Sequence, residues 1–146
     1  MMSDARYNEI VSFQNAMGQN DFKLAKNIML NAKHVSGKQL LTWEWQLLDR
    51  QTDLDLLNLS KIIIESDYPI GLLYIYFENC LDRNDINLYD KIFRKINFSK
   101  YDDDSSVYFR VMRNYMLGNQ SDKEDKKIAR LLHTKKKSLF IVYLNE

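Results

Sequence analysis

An interval of 32 residues constrains this chain more than any other feature. Phe13, Trp45, Phe77 and Phe109 stand at that spacing, and an aspartate follows each of the first three by eight positions, at Asp21, Asp53 and Asp85. An apolar residue comes directly after each aspartate (Phe22, Leu54, Ile86), and an uncharged one three positions later (Ala25, Leu57, Tyr89). A fixed period of this length marks a repeat array, in which each unit buries its apolar side only against its neighbours.

The elements between these markers read as helices. One proline and four glycines in 146 residues leave long stretches without a helix breaker. Apolar residues at helical spacing (Tyr7, Ile10, Val11, Phe13, Met17) predict a first helix over 4–17, capped by Ser3 or Asp4. Asp21 caps a second over 21–33, because its carboxylate can accept from the free N–H groups of the first turn. Ser36-Gly37 opens a third over 38–50, Asp53 caps a fourth over 54–66, and Pro69 sits in the first turn of a fifth over 69–82. That fifth helix is apolar almost all round, which predicts a central position. Asp85 caps a sixth over 86–97, and a loop over 98–104 ends in Asp102–Asp104, which suit the positive end of a seventh helix over 104–117. Gly118-Asn119 ends it, and an eighth runs over 121–134. The apolar run Leu139–Leu144 is too short for periodicity to separate strand from helix, and it reads as a final capping segment over 138–146. The expected fold is all-α: about eight helices in four antiparallel pairs, in one domain over 1–146 with repeats near 5–36, 37–68, 69–100 and 101–134.

Charge and cysteine content exclude several roles. A formal net charge of +1 gives no overall field toward nucleic acid or membrane. The single cysteine, Cys80, permits no internal disulfide, the first ten residues hold no signal-peptide-like apolar core, and no run approaches the length of a membrane span. A cytoplasmic protein is expected. Cys80 has no adjacent base to make it a thiolate, and His34 and His133 lie far apart, so neither a catalytic thiol nor a zinc site is expected. Without a phosphate-cradling loop or a nucleophile elbow, the chain reads as a non-enzyme with no cofactor. The basic cluster Lys123, Lys126, Lys127, Arg130 and Lys135–Lys137 reads as the solvated outer face of a terminal repeat, with no direct nucleic-acid binding expected.

The residue after each periodic aromatic is polar: Gln14, Gln46, Glu78 and Arg110. One turn away stand Tyr74 on one side and Arg50 on the other. On successive first helices, equivalent positions line a concave surface. Such a ladder can hold an extended peptide, with amides and Arg110 bonding its backbone or carboxylate and Tyr74 packing on its side chains. The competing reading is that these are the wet edges of amphipathic helices. Glu78 lies in the most apolar helix, where an unpaired charge is costly, so it is expected to face a groove or to pair with Arg50 or Arg110. Trp43 and Trp45 face nearly opposite sides of their helix, which assigns one to a repeat junction and Trp43 to a rim. With Leu139, Val142 and Leu144, Trp43 forms a candidate surface for a protein partner or a homodimer.

The pattern Asn20-Asp21-Phe22-x-x-Ala25-x-x-x-Met29-x-x-Ala32 resembles the second helix of a tetratricopeptide repeat, although the unit here is shorter than that family's length of about 34. The resemblance covers residues 5–133 and implies a right-handed superhelix. The stretch SDYPIGLLYIYFENCLDRNDINLYDKIFRKI, residues 66–96, is similar to the middle of the C-terminal domain of Rgg-type transcription regulators of Gram-positive bacteria. That likeness implies a bacterial sensor of short peptides, the sensor part of a transcription regulator or a derivative of one; the 146 residues leave no room for such a regulator's DNA-binding domain. The expected function is recognition of a peptide or protein segment in a groove. The alternative is an adaptor or homo-oligomerisation module working through an exposed apolar surface.

Overall fold

The computed structural model describes residues 3–118, which are helical with no strand among them. Seven α-helices follow one another: α1 (Asp4–Gly18), α2 (Phe22–Asn31), α3 (Gly37–Gln51), α4 (Leu56–Glu65), α5 (Ile70–Asp82), α6 (Ile86–Phe93) and α7 (Asp103–Met116). A single 3₁₀ turn, Phe98–Lys100, precedes α7. The helix and basic cluster expected over 121–137, and the tail with Leu139, Val142 and Leu144, lie outside the described residues.

Short polar side chains start six of the seven helices. Ser3, Asp21, Ser36, Asp55, Asp85 and Asp102 each accept a bond from the backbone N–H three residues on. This satisfies one of the donors a helix start leaves open. Only α5 begins without a side-chain cap, behind Pro69.

The fourth cap corrects the sequence reading, since Asp55 rather than Asp53 accepts from Asn58 N–H, at 3.1 Å. The cause lies in the preceding turn. Asn20 and Asn84 take left-handed backbone angles, φ 57° and 51°, and around them the same bonds recur. Gln19, Asn20 and Asp21 donate to Asn15, Met17 and Ala16, while Arg83, Asn84 and Asp85 donate to Asn79, Leu81 and Cys80. This is a Schellman-type ending, which needs a residue that tolerates the left-handed region. The equivalent position in the middle repeat is Thr52, whose branched Cβ disfavours that region. Thr52 is extended instead, at φ −143°, and the turn lengthens until Asp55 becomes the cap. Asp55→Ala is therefore expected to cost about 1 kcal/mol, and Asp53→Ala no more than about 0.5 kcal/mol, as read from urea unfolding midpoints.

Two other helices are shorter than expected. α2 stops at Asn31 because Glu9 of α1 takes the next N–H groups, accepting from Lys33 and His34 at 2.7 and 2.6 Å. α6 stops at Phe93, after which Lys95 and Ile96 bond only three residues back and Phe98 folds onto Phe93, with ring centroids 5.1 Å apart.

Packing joins neighbours in sequence and next neighbours. α1 lies on α2, α2 on α3, α4 on α5 and α6, and α6 on α7, while α5 also touches α3, α6 and α7. All four periodic aromatics are buried, and they fall in two separate apolar clusters. Ile10, Phe13, Ala16, Met17, Ala25, Trp43 and Leu47 make the first. The second is larger, runs from Trp45 to Met112, and is centred on α5. α3 belongs to both, because Trp43 and Trp45, two residues apart, point in nearly opposite directions. Trp43 is not at a rim: it is 0% exposed and stacks on Phe13 with ring centroids 4.1 Å apart. This removes Trp43 as a candidate partner surface.

Candidate recognition cleft

Three of the four ladder positions converge. Gln14 of α1, Gln46 of α3 and Glu78 of α5 line one cleft of about 230 Å³, together with Met17, Gly18, Asp49, Arg50 and Ile75. Their shared interval puts each on the same face of its helix, directly after a buried aromatic, so each comes out at the edge of the core. Arg50 and Gly18, one turn further along α3 and α1, complete the rim.

The two glutamines carry the most unusual feature of the site. Gln14 Nε2 and Gln46 Oε1 are shielded from solvent and have no hydrogen-bond partner. A donor and an acceptor left unsatisfied in this way cost about 1–3 kcal/mol each, and native proteins hold few such atoms. Both residues line the cleft, so its wall holds one unpaired amide nitrogen and one unpaired amide oxygen.

The charged groups are held in place from outside the cleft. The Arg50 guanidinium donates to Asn20 Oδ1 and lies over the Phe22 ring, 5.3 Å from its centroid, which keeps its charge at the rim. Asp49 Oδ1 accepts from Asn79 Nδ2 at 3.0 Å. Burial holds the Asp49 carboxyl above the usual carboxylate range, the Asn79 bond opposes this, and the nearby Asp82 adds to the rise. Glu78 faces the cleft and accepts from the Tyr108 hydroxyl at 3.2 Å.

Tyr74 and Arg110 stand elsewhere. Tyr74, expected to pack on a ligand, is buried: its ring stacks on Tyr108 and its hydroxyl meets Ser105 Oγ at 2.6 Å. The reason is that α5 is enclosed by its neighbours, and the turn before Glu78 already points toward α7. Arg110 is exposed and lies over Phe98, 4.7 Å from the ring centroid, away from the residues that line the cleft. The hydroxyls of Tyr74, Tyr76 and Tyr108 all find the polar neighbour expected of buried tyrosines, at Ser105, Leu88 O and Glu78. Cys80 is buried and its thiol is pushed up to about 12, chiefly by that burial, so it stays protonated.

Sequence reasoning missed Asp49, Met17 and Ile75. Met17 and Asp49 follow Gln14 and Gln46 by three residues, a spacing that lies on the same helix face as the four-residue step. Among the described residues, no group of three His, Cys, Asp or Glu side chains is arranged to hold a metal ion, and no helix is long and apolar enough to cross a membrane. Compared with models of protein families, with curated proteins and with solved structures, the chain matches none of them.

Proposed function

We propose that this chain is a non-catalytic recognition domain that binds an extended peptide or protein segment across α1, α3 and α5. In this reading the helices pair antiparallel into a right-handed, tetratricopeptide-like superhelix, and the odd-numbered helices line its concave side. The packing of α3 on α5 and α5 on α7, with the even helices between them in sequence, supports that arrangement. The Rgg-like stretch over 66–96 includes Ile75 and Glu78 of the cleft, which favours a short peptide as the ligand and a sensor role in a bacterial transcription regulator or a protein derived from one.

The observation that carries the reading is the pair of orphaned amide atoms on Gln14 and Gln46. A peptide unit offers one carbonyl and one N–H, the complement of these two atoms. An occupant that bonds both removes a penalty present in the empty protein.

The double substitution Gln14→Leu/Gln46→Leu separates binding from folding. It exchanges unpaired polar atoms for apolar groups of similar size, so the melting temperature is expected to hold or rise. Twelve-residue peptides selected from a random display library against the unsubstituted chain are expected to lose affinity for the double variant by about tenfold or more, as two hydrogen bonds of about 0.5–1.5 kcal/mol each would give. Selection that returns no binder, or peptides that bind both proteins equally, would remove the groove from consideration.

A further inference from the structure

The cleft is asymmetric in charge. Among its lining residues Asp49 and Glu78 are carboxylates on neighbouring helices α3 and α5, and Arg50 is the single cation. Arg50 is already engaged by Asn20 and the Phe22 ring. Arg83, the other cation felt by Asp49, donates to Leu54 O. No lysine or arginine of the described residues comes within ion-pair distance of Asp49. Asp82, one helical turn beyond Glu78 on α5, adds a third negative charge close to Asp49. Burial raises the Asp49 carboxyl, and the Asn79 bond with the charges of Arg50 and Arg83 offsets this only in part. Met17 and Ile75 add apolar surface to the same lining. An aliphatic stem carrying a charged tip fits such a combination, since lysine and arginine lay their methylenes on apolar surface and keep the charge among polar groups.

From this arrangement we infer that the cleft selects a basic side chain of the bound segment, a lysine or arginine whose cation lies between Asp49 and Glu78 and whose stem runs along Met17 and Ile75. The inference rests on the cleft being the recognition site proposed above and adds the chemistry of its central contact. The backbone beside that side chain bonds Gln14 and Gln46. Asp49 is a specificity-determining residue in this scheme, because removing its charge leaves the amide contacts untouched. Glu78 contributes charge while held by Tyr108.

Four blocked pentapeptides test it: acetyl-Ala-Ala-X-Ala-Ala-amide with X lysine, arginine, norleucine or glutamate. Binding is read from amide chemical shifts of the full chain on titration. The lysine and arginine peptides are expected to shift resonances around residues 46–50 and 75–79, with affinity about tenfold or more above norleucine and further above glutamate. That preference is expected to weaken as salt rises and to vanish in Asp49→Asn/Glu78→Gln, which keeps side-chain size. If norleucine binds at the same residues as well as lysine does, the cation assignment is wrong and the groove reading stands. If no peptide shifts these residues, both fail. A lysine preference that persists in the double variant places the cation elsewhere and overturns the inference.

Discussion

Phe77→Ala is expected to lower stability by about 3–5 kcal/mol, a large share of the roughly 5–15 kcal/mol that holds a domain together. The ring is 0% exposed and lies where the aromatic residues meet: centroids fall 4.3 Å from Tyr89, 4.8 Å from Phe109, 5.7 Å from Tyr76 and 6.4 Å from Phe93. Those partners come from α5, α6 and α7, so the cavity opens between three helices at once. None can close it without leaving another contact, because Tyr89 is tied to Phe109 O and Tyr76 to Leu88 O through their hydroxyls. A cavity that cannot collapse carries the upper part of the range. Urea unfolding followed by circular dichroism measures the effect. A loss below about 1 kcal/mol would mean that this aromatic centre is not packed as described.

Trp43→Ala is expected to cost a similar amount, about 3–5 kcal/mol, with a different distribution. Trp43 belongs to the smaller cluster, stacked on Phe13 and grouped with Ile10, Met17 and Ala25. Its removal loosens α1 and α2, whose buried apolar residues lie in that cluster alone. The larger cluster, from Trp45 to Met112, keeps its members. In repeat architectures each unit leans on its neighbours, so damage at one end opens that end first. Amide hydrogen exchange is expected to show lost protection over 4–31 and retained protection over 70–93. Uniform loss along the chain would show that the two clusters act as one.

Much of this organisation is legible in the sequence because two periodicities agree. The 32-residue interval places Phe13, Trp45, Phe77 and Phe109 in equivalent buried positions, and the 3.6-residue helical step then carries Gln14, Gln46 and Glu78 to the neighbouring edge. Caps are legible where the turn is regular, at Asp21 and Asp85, and fail at Asp53, where backbone tolerance at Thr52 decides and side-chain pattern does not. Helix ends are hidden for a related reason: α2 is stopped by a carboxylate some 24 residues upstream, Glu9, which no local pattern reveals. Tyr74 and Trp43 are misplaced because amphipathic spacing ranks faces within one helix. It does not say how many neighbours enclose that helix, and α5 is touched by α3, α4, α6 and α7.

The left-handed turns at Asn20 and Asn84 bear on how such a chain can change by mutation and duplication. Along the helix faces many side chains fill similar space, and drift there is absorbed gradually. At these two positions the backbone admits asparagine, aspartate or glycine at little cost, and a branched residue badly. A duplicated unit that keeps such a residue reproduces its exit angle. One that gains a threonine, as at Thr52, makes a longer turn, recruits a new cap and sets the next helix off by two residues.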